Sequence, residues 1–150
     1  RAALHRARRP AHWSTVETTD VAGVLAAAPA GSVVLVDCLA LWLTAVLDET
    51  GAWDDATWRS GGRDRADRRI EELLDALGRS SRRLVLVTNE VGSGVVPAHA
   101  AGRLFRDELG RLNARVAQIC DDVVLVVAGR PLRLPSGEAA PHHTSQEPPR

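Results

Sequence analysis

Lysine, methionine and tyrosine are absent from this 150-residue sequence, and its basic side chains, histidine aside, are all arginines. A Walker A loop needs a lysine that reaches the β- and γ-phosphates of a nucleotide. The lack of lysine therefore excludes such a loop from residues 1–150. Because no methionine is present, Arg1 is not a normal translation start, and we expect the sequence to be part of a longer chain.

An excess of charge, a rich cysteine content and long apolar runs are missing as well. The 19 basic residues balance 19 acidic ones, so no net positive charge indicates a nucleic-acid partner or an acidic membrane surface. No apolar run approaches the roughly 20 residues of a membrane-spanning helix. Cys38 and Cys120 follow no secretory signal, and such a pair is more typical of reduced, buried thiols than of a disulfide. We therefore expect a cytoplasmic protein.

Three short apolar runs predict β-strands. They cover residues 32–38, 84–88 and 123–127, and the last of them ends at Ala128-Gly129. Runs that are β-branched and apolar at both alternating positions indicate strands covered on both faces, as in parallel sheets.

Residues at helical spacing separate these runs. The apolar stripes span residues 21–28, 39–47, 70–77 (with Gly78 as the expected C-cap) and 105–119. Residues 50–63 predict a loop. Strands that alternate with helices indicate an α/β domain with a mostly parallel sheet and flanking helices. We assign this domain to residues 1–134 and predict a disordered tail at residues 135–150.

Asp37 ends the first apolar run. Ligands bind at the carboxyl ends of parallel strands, and an acid at this position resembles a Walker B residue, which holds Mg²⁺ directly or through water. The alternative is an acid that caps the following helix or faces solvent.

The segment from Thr88 to Gly94 leaves the second run at the same predicted edge. Gly92 and Gly94 permit positive φ angles and a close approach of a ligand to the backbone. Glu90, next to Asn89, could orient a metal-bound water or a substrate hydroxyl. The alternative is a tight turn with a surface acid.

Residues 5–13 combine histidine with a cluster of arginines. The guanidinium groups of Arg6, Arg8 and Arg9 suit phosphate oxygens, and a neutral imidazole nitrogen among them is a plausible nucleophile at phosphorus. The alternative is a solvated basic segment near a chain end.

Residues 14–17 fit a helix-capping box. The polar residues of the long helix predict a solvated face, from which some could meet a neighbouring subunit; they are Arg103, Arg106, Asp107, Arg111, Asn113 and Arg115.

Four ordered blocks follow the pattern of a known family. They are His-x-x-x-Arg-Pro-x-x-Trp-x-Thr-x-Glu from His5, Val-Asp-Cys-Leu-x-Leu-Trp-Leu-Thr from Val36, the segment from Thr88 to Asn113, and Val-Val-Ala-Gly-x-Pro-Leu from Val126. With these blocks at compatible spacing over residues 1–134, the chain resembles the cobinamide kinase / cobinamide-phosphate guanylyltransferase family of cobalamin assembly.

The resemblance implies a P-loop NTPase-like fold and two reactions. ATP or GTP first phosphorylates the aminopropanol hydroxyl of adenosylcobinamide. GTP then donates GMP to that phosphate through a guanylyl-histidine, and the product is adenosylcobinamide-GDP. By its place in the motif, His5 matches the guanylylated histidine, whereas His12 occupies a slot beside Trp13 that looks structural.

The remaining site residues are also implied by the resemblance. The nucleotide-binding set is Arg6, Ala7, Arg8, Arg9, Glu17 and Asp37, of which Asp37 is the expected Mg²⁺ ligand. Asn89, Glu90, Gly92 and Gly94 are expected to position the substrate or the metal. The family also implies a homo-oligomer, and from the balanced charge and the lack of a long apolar run we expect neither a nucleic-acid nor a membrane partner.

The sequence departs from this family at one place. The family begins with a strand and a Gly-rich loop ending in Gly-Lys-Ser, and residues 1–150 contain neither. We therefore expect this segment alone to be poorly stable and nearly inactive. The alternative is a non-catalytic remnant that binds nucleotide or a partner subunit. Coding sequence for the loop, in frame upstream of Arg1, would distinguish the two.

Overall fold

The computed structural model describes residues 9–135, and these divide into two compact units, the first ending at Asn89 and the second beginning at Glu90. The first unit contains α1 (Val21–Ala27), β1 (Val33–Asp37), α2 (Leu39–Thr50), α3 (Asp55–Thr57), a wide turn (Trp58–Gly62), α4 (Arg63–Arg79) and β2 (Arg83–Val87). The second contains α5 (Ala100–Ile119), β3 (Val123–Val127) and β4 (Arg130–Leu134). The α/β class is confirmed.

The strands β1 and β2 form a parallel pair, in register from Val33 opposite Arg83 to Asp37 opposite Val87. The prediction that the strands are covered on both faces is wrong for the described residues, because alternate positions of β1 and β2 are exposed. Val33 is 59% and Val85 47% exposed.

The core of the first unit is built on α2. Leu39, Leu43, Val46 and Leu47 are almost completely buried, and α4 packs against both α1 and α2. The predicted apolar stripe of residues 39–47 is confirmed, and the helix continues to Thr50, where Gly51 ends it with a left-handed φ of 72°. Such a φ is accessible to glycine without steric cost.

Helix boundaries correct two of the sequence-based predictions. The capping box at residues 14–17 is wrong, because α1 begins at Val21 and the Asp20 carboxylate accepts the N–H of Gly23 at 2.8 Å. Gly78 lies inside α4, which ends at Arg79 with Ser80 as its C-cap.

The predicted loop at residues 50–63 contains the single turn α3, capped by Asp54, and the wide turn that leads into α4. The backbone N–H of Thr57, which donates to Asp54, lowers the pKa of that carboxyl.

In the second unit, the predicted stripe of residues 105–119 is confirmed as α5, and His99 is its N-cap residue. The mostly parallel sheet is wrong for β3, which pairs with β4 in an antiparallel hairpin. The two connecting residues, Ala128 and Gly129, have φ angles of 50° and 74°. Positive φ at both positions of a two-residue loop is the geometry that turns a strand back on itself.

Candidate functional site

Polar residues collect where the two parallel strands end. Asp37 is the last residue of β1 and lies opposite Val87, the last residue of β2. Thr88 and Asn89 therefore leave the sheet at the same edge as the Asp37 carboxylate. The carboxyl edge of a parallel sheet is where ligands of open α/β folds bind. This part of the sequence-based prediction, that Asp37 and Asn89 share one edge, is confirmed.

Arg9 connects the N-terminal motif to this edge. Its Nη1 donates a hydrogen bond to Oγ1 of Thr15 at 3.0 Å, and its Nη2 lies 3.9 Å from Oδ2 of Asp37. The Arg9 side chain is 28% exposed and the Asp37 side chain 47%. The interpretation of this stretch as a solvated basic segment is therefore wrong for Arg9, which is half-buried and paired.

The chain turns sharply after Arg9, and an open pocket lies at this turn. The backbone N–H of Trp13 donates to the carbonyl of Pro10 at 2.9 Å. A pocket of about 320 Å³ is lined by Arg9, Pro10, Ala11, Trp13 and Thr15. It offers a guanidinium, a hydroxyl and an aromatic ring, a combination suited to a phosphate-bearing ligand with a planar ring.

Asp37 is also the predicted Mg²⁺ ligand, and its surroundings bear on that role. The described residues contain no group of three or more His, Cys, Asp or Glu side chains that could hold a metal ion by themselves. Mg²⁺ is usually held by one or two carboxylates together with substrate phosphates and water. A single half-exposed carboxylate at the sheet edge fits a Mg²⁺ that arrives with a nucleotide.

The Glu90–Gly94 turn opens the second unit. A side-chain oxygen of Glu90 accepts the backbone N–H of Gly92. A Cβ at Gly92 would lie 2.7 Å from Oε1 of Glu90, so the absence of a side chain there lets the carboxylate approach. The sequence permits positive φ angles at Gly92 and Gly94, but neither residue adopts one.

Two arginines of α5 bind backbone carbonyls, one in this turn and one in the residues that lie between the turn and the helix. Arg106 Nη2 donates to the carbonyl of Gly92 at 3.0 Å. Arg103 Nη1 donates to the carbonyls of Pro97 at 3.0 Å and Ala98 at 2.6 Å. The predicted solvated face is therefore wrong for Arg106, which is half-buried. Arg103, three residues away on the same side of the helix, is exposed, so the helical spacing gave no signal for the burial of Arg106.

Several predicted site residues lie outside the described part of the chain or remain untested. His5, Arg6, Ala7 and Arg8 fall before residue 9, and the predicted tail falls almost entirely after residue 135. Glu17 is exposed in the segment without regular secondary structure before α1. The homo-oligomer stays a prediction.

Both cysteines are free, as the sequence predicts, although each is only half-buried. Partial burial raises the pKa of the Cys120 thiol, and the negative charge of Asp121 adds to the effect. Among residues 9–135, no helix is long and apolar enough to cross a membrane.

Comparison with known proteins gives one consistent result. The profile of the cobinamide kinase / cobinamide phosphate guanyltransferase family matches residues 1–134. The bifunctional adenosylcobalamin biosynthesis protein CobP of Pseudomonas aeruginosa is 43% identical over 136 residues, which cover 89% of this chain and 72% of the relative. The bifunctional adenosylcobalamin biosynthesis protein CobU of Salmonella typhimurium is 39% identical over 129 residues, covering 83% and 71%. The resemblance found in the motifs is confirmed, and the chain belongs to the cobinamide kinase / cobinamide phosphate guanyltransferase family.

Proposed function

We propose that the protein phosphorylates adenosylcobinamide and then transfers GMP from GTP to the resulting phosphate, which yields adenosylcobinamide-GDP and pyrophosphate. The family match over residues 1–134 carries this proposal. The pairing of Arg9 with Asp37 at the sheet edge supports it, because the pair puts a cation and an acid of two separate motif blocks beside each other.

In the proposed guanylyl transfer, an imidazole nitrogen of His5 attacks the α-phosphorus of GTP. A P–N bond forms, the bond to the bridging oxygen of the β-phosphate breaks, and pyrophosphate leaves. A phosphate oxygen of adenosylcobinamide phosphate then attacks the same phosphorus, and the P–N bond breaks to free the histidine. Two displacements, each with an oriented nucleophile, replace one difficult bimolecular step.

The arginines near His5 supply positive charge for this chemistry. Arg6, Arg8 and Arg9 would bind the phosphate oxygens on which negative charge develops. Of these, Arg9 is held in place by its hydrogen bond to Thr15. A side chain that is already ordered loses less conformational entropy when it binds a phosphate.

Asp37 would hold Mg²⁺ together with the nucleotide phosphates. The ion, when bound, neutralises phosphate charge and orients the phosphates for displacement. Glu17 would contact the guanine nucleotide or the ion. Asn89 and the Glu90–Gly94 turn would position the cobinamide substrate or the metal-bound water.

The test uses protein expressed from its whole coding sequence. One reaction contains adenosylcobinamide, ATP or GTP and Mg²⁺, and a second contains adenosylcobinamide phosphate, GTP and Mg²⁺. We expect mass spectrometry to detect adenosylcobinamide phosphate in the first and adenosylcobinamide-GDP in the second. Absence of both products would contradict the proposal.

A matched pair of arginine variants ties the activity to the pocket. Arg9→Gln should raise the KM for GTP about tenfold or more, since a charge-assisted hydrogen bond contributes about 1.5–3 kcal/mol. Arg59→Gln removes the same charge from an exposed i,i+4 pair, where ion pairs contribute little, and should leave the KM within about twofold. Equal KM values for the two variants would contradict a role for Arg9 at the phosphates.

A further inference from the structure

The Arg106 guanidinium is bonded on one side only. Nη2 donates to the carbonyl of Gly92, whereas Nη1 is buried without an acceptor among residues 9–135. Burying a nitrogen of a charged group without a partner costs stability. Within residues 9–135, the one hydrogen bond of this guanidinium therefore goes to the Gly92 carbonyl.

The Gly92 carbonyl that Arg106 holds belongs to the turn that orders Glu90. The N–H of the same residue is bonded to the Glu90 carboxylate, so Gly92 is fixed at its carbonyl by Arg106 and at its amide by Glu90. A Cβ at Gly92 would meet Oε1 of Glu90 at 2.7 Å, so a glycine lets the Glu90 carboxylate reach the Gly92 amide without moving aside. Loss of the Arg106 bond would free the peptide groups that hold the Glu90 side chain.

Arg103 binds the residues that lie between the Glu90–Gly94 turn and α5. It binds the carbonyls of Pro97 and Ala98, and Gly102 allows Pro97 to lie close to the helix, since a Cβ there would be 2.9 Å from Cβ of Pro97. The two arginines act on different carbonyls, five or more residues apart. Arg103 is therefore a matched control on the same helix.

We propose that Arg106 is a positioning residue, which fixes the Glu90–Gly94 turn through the Gly92 carbonyl and thereby orients the Glu90 carboxylate for the substrate. This inference rests on the proposed function for its effect on catalysis. Its structural part does not, because the order of the turn can be measured without any ligand.

Hydrogen exchange of the ligand-free protein, expressed from its whole coding sequence, tests the structural part. Arg106→Ala should speed exchange of the Gly92 amide about tenfold or more, as expected for the loss of a hydrogen bond from a charged donor. Arg103→Ala should change it by less than about threefold, because the Gly92 carbonyl keeps its donor. Equal exchange in the wild type and Arg106→Ala would overturn the proposal, whether or not the protein transfers GMP.

Steady-state kinetics test the catalytic part. Arg106→Ala should lower kcat for adenosylcobinamide-GDP formation about tenfold or more and change the KM for GTP by less than about threefold, because a misplaced turn disturbs orientation more than nucleotide affinity. Arg106→Lys should recover at least about a third of kcat, since one ammonium donor can replace the single bond made by Nη2. A larger change in the KM for GTP than in kcat, or a lysine variant as slow as the alanine variant, would overturn the positioning role.

Discussion

Asp37→Asn is expected to lower the rate of adenosylcobinamide-GDP formation at least about 100-fold, the usual size of the loss when one electrostatic group of an active site is removed. Asparagine keeps the size of the side chain and removes its charge. The variant therefore has no carboxylate at the end of β1 that could attract Mg²⁺ or pair with Arg9. In the wild type, Nη2 of Arg9 lies 3.9 Å from Oδ2 of Asp37. The rate should be measured at saturating GTP over a series of Mg²⁺ concentrations.

The Mg²⁺ series separates the two roles of Asp37. If the carboxylate holds the ion, the variant needs a higher Mg²⁺ concentration for half of its maximal rate, because one ligand of the site is lost. Asp75→Asn is the matched control, since Asp75 pairs with Arg79 on the exposed side of α4 and its loss should leave the rate within about twofold. A rate for Asp37→Asn within threefold of the wild type would rule out the proposed metal site.

Leu43→Ala is expected to have the largest effect on stability, about 3–5 kcal/mol, which is the range for a fully buried leucine replaced by alanine. The Leu43 side chain is 0% exposed in the middle of α2. The neighbouring stripe of the helix is equally buried, so the core has little freedom to collapse around the cavity. Natural domains have only about 5–15 kcal/mol of stability, and this loss would be a large part of it.

Leu41 offers a control on the same helix. Its side chain is 68% exposed, so Leu41→Ala removes the same atoms without making a cavity and should change the free energy of unfolding by about 0.5 kcal/mol or less. Urea unfolding of the two variants and the wild type measures the difference. Similar midpoints for Leu41→Ala and Leu43→Ala would show that α2 does not form the core.

The helices were predicted well because the apolar residues of a helix recur every three or four positions, a pattern that a short stretch of sequence shows. The stripes around Leu43 and Leu109 became the buried sides of α2 and α5. The ends of the helices were harder to predict from the sequence, since a helix cap depends on a single hydrogen bond. Residues 14–17 match a capping box at the sequence level, whereas the structure shows that Asp20 caps the helix.

Strand pairing could not be derived from the apolar runs alone. The run at 123–127 looks like the runs at 32–38 and 84–88, yet β3 pairs antiparallel with β4. The deciding feature is the pair of positive φ angles at Ala128 and Gly129, and alanine gives no signal for such a conformation.

The candidate site was predictable in its residue types and less so in its contacts. Asp37 could be placed at a sheet edge from its position after an apolar run. The pairing of Arg9 with Asp37 joins residues 28 positions apart in sequence, which no local pattern reveals. Arg106 was missed because a charged residue on a helix is usually solvated, whereas here one guanidinium nitrogen is buried.

The central claim is that GMP passes through His5. The most direct test is the intact mass of the protein, expressed from its whole coding sequence, after incubation with GTP and Mg²⁺ in the absence of cobinamide. The wild type and His12→Ala should gain the mass of one GMP, and His5→Ala should gain none, because the nucleophile that forms the P–N bond is gone. An adduct that persists in His5→Ala, or that disappears in His12→Ala alone, would contradict this account.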